Sequence, residues 1–486
     1  MQATVASATI LGVEAIPVEV QADVSSGLPV FGIVGLADTA VQEARDRVRA
    51  AVRAAGFQFP NARVIVNLAP APLRKHGTGF DLPIALAVLS ATGQIPPACL
   101  GGVTAVGELG LDGAVRAVPG MLAHAITASR EDRDLLGPSS AADVVDIVPR
   151  LRYRGLTGIS AIRAGLPEMR TAPRARSVDA RPPEPDLGDI AGHEGAKRCL
   201  EIAATGGHNV LFVGPPGSGK TMLARALCGL LPELDEAERL QSGLIHSVAG
   251  LDPHDVLAGK RPFRAPHHTC TVAGLVGGGT PPRPGELSLA HNGVLFLDEF
   301  PEFGPGALQA LRQPLEEGVV TLVRALGAIR YPAQVTLVAA MNPCPCGYSG
   351  DPARHCSCPP AALSRYASRI GGPLLDRMDI TLRVDRVDPG ILIDHARTAS
   401  CTLEARSRVD EARAFARSRP VSGLRTSLEP GARLLLEDAA RRMHLSGRAV
   451  TRLLRVARTI ADMDASSTVA EAHIAEALGY RAWENR

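Results

Sequence analysis

The segment "NVLFVGPPGSGKTMLARALCGLL", residues 209–231, leaves the chain little choice of fold around it. A short run of β-branched, leucine and aromatic residues reads as a strand buried on both faces, and a helical pattern begins where the glycines end. Strands buried on both faces belong to sheets covered by helices on each side. Between the two elements lie Gly214, Pro215, Pro216, Gly217, Ser218, Gly219, Lys220 and Thr221. Such glycines let backbone N–H groups converge on phosphate oxygens, and the helix N-terminus adds its dipole. At this spacing Lys220 reaches the β- and γ-phosphates, and the Thr221 hydroxyl holds Mg²⁺. The expected ligands are therefore ATP and Mg²⁺.

Two further apolar runs end in polar residues. "GVLFLDEF", residues 293–300, closes on Asp298 and Glu299. A doubly buried strand has little reason to finish in adjacent carboxylates unless they meet a cation or water. Asp298 is expected to contact Mg²⁺ and Glu299 to activate the attacking water. "VTLVAAMN" ends in Asn342, whose amide can hydrogen-bond the γ-phosphate or that water; without the other motifs, a turn cap is the preferred reading. Directly after it, Cys344, Cys346, Cys356 and Cys358 fall within fifteen positions. Two Cys-x-Cys pairs can close a tetrahedral thiolate site, for which zinc is the fitting metal and His355 a substitute ligand. Metal-free thiols, a regulatory disulfide and an iron–sulfur cluster are the alternatives. Cys99, Cys199, Cys228, Cys270 and Cys401 are scattered and read as small buried hydrophobes.

Around these motifs the chain divides into four parts. Residues 1–165 alternate strand-like and helix-like segments, and 166–186 are a linker rich in proline and charge. Residues 187–385 return to a βα pattern with a cysteine-rich insert at 344–358, and 386–486 are helical throughout. The 52 lysines and arginines nearly balance the 50 aspartates and glutamates, so any basic surface is local. No secretory signal and no bilayer-spanning run is visible, so a cytoplasmic protein with reduced thiols and no membrane partner is expected.

The order of motifs resembles that of an AAA+ ATPase: Walker A, Walker B, sensor 1, arginine finger, then a helical lid bearing sensor 2. "RPFRAPHHT", "LVGGGTPPRPGELSLAHNGVLFLDEF", "VAAMNPCPCG" and "IGGPLLDRMDI" narrow the likeness to the magnesium-chelatase-like branch. With residues 1–165 included, the chain resembles the YifB/ComM family over nearly its whole length. The resemblance implies an N-terminal Lon-protease-like, ribosomal S5-type α+β domain, an AAA+ α/β core and an all-α lid. It further implies a ring, expected to be a homo-hexamer, with ATP held between subunits. Arg377 is then the finger reaching a neighbour's γ-phosphate, with Arg365 and Arg369 as rivals, and Arg448 is sensor 2. A finger is chemically sensible because a planar cation stabilises charge on the transferring phosphoryl group.

The same resemblance implies a DNA motor, since ComM-type proteins are ATP-driven helicases promoting branch migration in natural transformation, with recombination proteins as possible partners. Two segments suit a pore: residues 263–285 with three consecutive glycines at 277–279, and the hairpin "GVVTLVRALGAIRYPA" carrying Arg324 and Arg330. Backbone-tracking contacts need cations and little base readout; an ordinary hairpin with solvated arginines is the plain alternative. His267 and His268 lack the spacing of a helical zinc site and read as loop residues. Lon-type proteolysis needs a serine and a lysine, but those positions fall on about Gly79 and Leu122, so protease activity is not expected. Lys75, in "LRKHG", reads as part of a small cationic loop or a solvated turn. A chelatase-type motor that remodels a protein partner for metal insertion is the second function this sequence suggests.

Overall fold

Alternation of apolar and polar residues builds the first sheet. In Glu14–Ser25 the alternate residues Val18, Val20 and Ala22 are buried, and the strand pairs antiparallel with Gln2–Leu11 through a turn at Gly12. The computed structural model describes residues 1–168, 185–324, 327–351, 354–370, 372–393, 402–419 and 427–481. Most of the linker reading, Cys401 and hairpin residues 325–326 lie outside them. The seven-stranded mixed sheet runs in the order Val30–Val34, Arg63–Ala69, Glu14–Ser25, Gln2–Leu11, Val103–Ala105, Asp134–Pro138, Tyr153–Leu156.

Thr39–Ala54 and Asp81–Ala91 pack on this sheet, and Met121–Arg130 also lies against it. Thr39–Ala54 is capped by Asp38, whose carboxylate accepts from the Val41 N–H at 2.9 Å. Asp81–Ala91 is buried along its entire length, including Asp81 itself. A buried carboxylate needs a partner, and Arg47 supplies a two-pronged one at 2.6 and 2.9 Å. Lys75 departs from the expected solvated loop. It is fully buried, its Nζ donates to the Pro70 carbonyl, and burial lowers its pKa.

A second, five-stranded sheet is parallel throughout. Its order is Phe263–Arg264, Gly293–Leu297, Val335–Met341, Val210–Val213, Ile380–Arg383. Val210–Val213 and Gly293–Leu297 are buried at every residue, as the uninterrupted apolar runs require. Because the strands are parallel, their carboxyl ends open on one edge, where α/β sheets place their ligands.

The C-terminal part is helical: Thr402–Ser418, Pro430–Arg442, Gly447–Met463 and Glu471–Gly479. Leu453, Val456 and Ile460 share one core with Leu200, Ile202 and Phe212, so these helices are an extension of the sheet's own packing. The first sheet meets the second through Met121–Arg130, which lies on the helix Glu236–Ala249. There the Gly120 N–H donates to the Ser247 carbonyl at 2.7 Å and the Leu122 N–H to Ser247 Oγ at 3.2 Å. Val118 and Met121 pack with Leu240 and Leu244, closing the seam.

Candidate active site

Three strand ends converge. Gly214 follows Val210–Val213, Asp298 follows Gly293–Leu297 and Asn342 follows Val335–Met341. The loop between them depends on glycine: Gly217 and Gly219 have φ of 76° and 85°, and a Cβ on Gly214 would stand 2.0 Å from the Val384 carbonyl oxygen. Gly219 caps the helix Lys220–Leu230, whose first N–H groups have no acceptor within the helix and face the loop.

Lys220 Nζ donates to the Gly214 and Pro215 carbonyls at 2.8 Å each and to Asn342 Oδ1 at 3.3 Å. Burial lowers its pKa, and Asp298 opposes that shift. Thr221 Oγ1 donates to Asp298 Oδ2 at 3.0 Å. A hydroxyl and a carboxylate so placed are the hard oxygen donors that Mg²⁺ prefers. Buried Ser218 Oγ has no hydrogen-bond partner among the described residues, an open polar atom in a loop suited to an anionic ligand. Beside the loop, Ile190, Ala191, Met222, Val387 and Leu392, together with Asp189 and Arg386, line a slot apolar enough for a planar base.

Glu299 adopts φ of +50°, a left-handed conformation that costs a non-glycine residue about 1 kcal/mol or more. His268 Nδ1 lies 2.9 Å from Glu299 Oε2. Thr221, Arg225, Pro266, His267 and His268 line the cavity that Asp298 and Glu299 face. The loop histidines thus stand at the carboxylates. Sequence reasoning excluded them as metal ligands and had no signal for this contact, because the two segments meet only through the sheet.

The remaining arginines divide. Arg377 is largely buried and its guanidinium engages Glu316. Arg369 holds both oxygens of Glu302 at 3.0 Å, and Arg365 donates to the Ala361 carbonyl on its own helix, Pro360–Ile370. Arg448 is exposed in the first turn of Gly447–Met463, which Ser446 caps. Arg324 and Arg330 are exposed on the antiparallel pair Val319–Arg324 and Gly327–Pro332.

The four clustered cysteines form a group whose sulfurs all lie within 4.8 Å of one another. Cys344 Sγ is 3.3 Å from Cys346 Sγ and 3.7 Å from Cys356 Sγ, and Cys346 to Cys356 is 3.6 Å. A tetrahedron of Zn–S bonds about 2.3 Å long has edges of roughly 3.8 Å, so the group fits such an ion closely. The Ser349 N–H donates to Cys344 Sγ at 3.2 Å and the Cys346 N–H to Cys358 Sγ at 3.4 Å, contacts that suit thiolates. A backbone N–H at Tyr348 is the main cause that lowers the Cys346 thiol to about 6, while burial pushes Cys344 up to about 12. The loop presses on the phosphate loop: a Cβ on Gly347 would stand 2.7 Å from Pro216 Cδ. Of the scattered cysteines, Cys199 is buried as expected, whereas Cys99, Cys228 and Cys270 are only partly so.

These features define a magnesium-chelatase-like AAA+ protein. Three family models match in succession: "Subunit ChlI of Mg-chelatase" at residues 20–140, "Magnesium chelatase, subunit ChlI" at 186–392, and "Magnesium chelatase, subunit ChlI C-terminal" at 399–481. Within that class the chain belongs to the YifB/ComM family. It is 42% identical to the YifB protein of Salmonella typhimurium over 97% of this chain and 95% of that one. It is 40% identical to competence protein ComM of Haemophilus influenzae over 99% and 97%. The magnesium-chelatase 67 kDa subunit of Heliobacterium mobile is 28% identical over only 32% of this chain and 28% of its own. No described helix is long and apolar enough to cross a membrane.

Proposed function

We propose that this chain is a ring-forming ATPase that couples ATP hydrolysis to DNA translocation, in helicase or branch-migration work serving recombination or natural transformation. The observation that carries the reading is the convergence of Lys220, Thr221, Asp298, Glu299 and Asn342 at one sheet edge, in a chain that matches a competence protein from end to end. Lys220 and the loop hold the phosphates, Thr221 and Asp298 hold Mg²⁺, Glu299 polarises the attacking water, and Asn342 reads the γ-phosphate. A neighbour's arginine completes the site; Arg377, Arg365 and Arg369 are its candidates, and Arg448 reaches nucleotide from the lid. Arg324 and Arg330 track the phosphate backbone of DNA in the pore of a homo-hexamer. The cysteine group holds one structural Zn²⁺. Residues 1–165 serve as a Lon-like scaffold without a protease dyad, 166–186 as linker, 187–385 as motor and 386–486 as lid, in the cytoplasm.

The test is ATPase turnover with and without single-stranded, duplex and four-way-junction DNA, alongside Lys220→Ala and Glu299→Gln. Stimulation by DNA and loss of turnover in both variants are expected. A ring that neither binds DNA nor responds to it sinks the translocase reading in favour of a chelatase-type motor acting on a protein, the alternative supported by the three family models. Metal analysis of the purified chain should give about one zinc per chain. Full zinc retention after Cys344→Ser with Cys346→Ser overturns that assignment.

A further inference from the structure

We infer that the turn Gly12–Val13, at the tip of the first strand pair, braces the arginine-bearing hairpin Val319–Pro332, and that residues 1–165 thereby take part in coupling DNA contact to turnover. The inference rests on the translocase reading above and goes beyond it, giving two residues of the N-terminal sheet a positioning role that no motif assigns.

A two-residue turn joins Gln2–Leu11 to Glu14–Ser25, with Leu11 opposite Glu14. Gly12 takes φ of 66°, the positive value that hairpin turns of this length ask of glycine. The tip of such a turn ordinarily stands in water, yet Gly12 is buried. The hairpin covers it: a Cβ on Gly12 would stand 2.9 Å from Ile329 Cγ2 and 3.9 Å from the Arg330 carbonyl oxygen. Val13 packs at the border of the same core as Leu322 and Ile329. The flank of the turn is anchored as well. Ile10 packs with Leu244 and Val248 of Glu236–Ala249, and a Cβ on Gly120 would lie 2.7 Å from Ile10 Cδ1. The tip is thus held by that helix on one side and meets the hairpin on the other.

The hairpin needs such support in its outer half. Residues opposite each other across a hairpin share a face. Val320 opposes Tyr331 and both are buried, so the base is rooted in the core. The next pair on that face, Leu322 opposite Ile329, is only partly covered, and Ile329 is where the turn meets it. Beyond them Arg324 and Gly327 are exposed, and on the opposite face Val323 is 78% exposed beside Arg330. A two-stranded ribbon is at best marginally stable in water, so the placing of both arginines depends on what Leu322 and Ile329 rest against. Ile329 is β-branched and stiff at χ1, so a push on its Cγ2 passes to the strand instead of being absorbed by a rotamer change. Load on Arg330 is carried through its neighbour Ile329 and the turn to the N-terminal sheet.

The experiment is a double-mutant cycle on the full chain, reading DNA-free kcat and the ratio of turnover with and without duplex DNA. Gly12→Ala sets its Cβ against Ile329 Cγ2 and should lower the ratio about fivefold, the low end of couplings between sites, with DNA-free kcat unchanged. In an Ile329→Ala chain, where that methyl group is gone, the same change should cost less than about twofold. The cycle separates the contact from backbone strain at Gly12, which is equal in both backgrounds. Val13→Asp should lower the ratio likewise and speed amide hydrogen exchange along Val319–Arg324 and Gly327–Pro332, while Val13→Ile should behave as the parent. An unchanged ratio in Gly12→Ala, an equal loss in both backgrounds, or unaltered exchange in Val13→Asp overturns the brace. A parent chain that DNA does not stimulate sinks the translocase reading instead, and the brace is then judged on hydrogen exchange alone.

Discussion

Single residues here carry conflicts between burial and charge, and each conflict has a measurable consequence. His124 is buried, and His291 accepts the Gln334 N–H on Nδ1 at 3.0 Å; burial depresses both to about 4. Their ordinary pKa is near 6.5, so the unfolded chain takes up protons first as pH falls. Stability should therefore decline from about pH 6.5 to about pH 4 and level below it, where both states are protonated. His124→Leu should recover about 2 kcal/mol of the loss between pH 6.5 and 4.5, read from urea midpoints at the two pH values. An undiminished loss would mean that His124 is protonated in the folded chain. Sequence could not signal such positions. A histidine in a helix or before a strand looks alike whether its surroundings are water or leucine, and the same blindness hid the burial of Lys75.

At the scale of elements the sequence was far more readable. Apolar runs such as "VLFV" and "GVLFL" are too short for helices and too uniformly apolar for an exposed sheet, so a covered parallel sheet follows from them. Parallel strands then bring Gly214, Asp298 and Asn342 to one edge whatever the loops between them do. What did not follow was the packing of one loop on another, since that depends on tertiary approach. Gly347 shows it: φ of 86° and the nearness of Pro216 leave no room for a side chain. Gly347→Ala should push the phosphate loop aside and weaken ATP binding by about tenfold, roughly 1.4 kcal/mol, with the fold intact by circular dichroism. Unaltered affinity by nucleotide titration would show that the cysteine loop yields instead.

The whole molecule is held by a seam that no motif announces. Leu122, in the first turn of Met121–Arg130, is fully buried, and a Cβ on Gly243 would come within 3.5 Å of its side chain. It stands about where the Lon resemblance places a lysine, so Leu122→Lys would bury a charge without a partner. A loss of about 3 kcal/mol or more is expected, seen as a lower melting temperature and faster tryptic cleavage between the two sheets. Equal stability would mean that the seam opens readily. The parallel sheet and the helical C-terminal part were legible because the apolar pattern changes between them. The docking of the first sheet on the second was not, because interface residues such as Val118 and Leu244 carry the same apolar pattern as any core. The approach of the cysteine loop to Pro216 has a last consequence, which is reciprocal: whatever steadies one side of a contact steadies the other. Nucleotide seated on the phosphate loop should shield Cys346 and Cys356 from alkylating reagents, and the labelling rate of two thiols would then report whether the nucleotide site is filled.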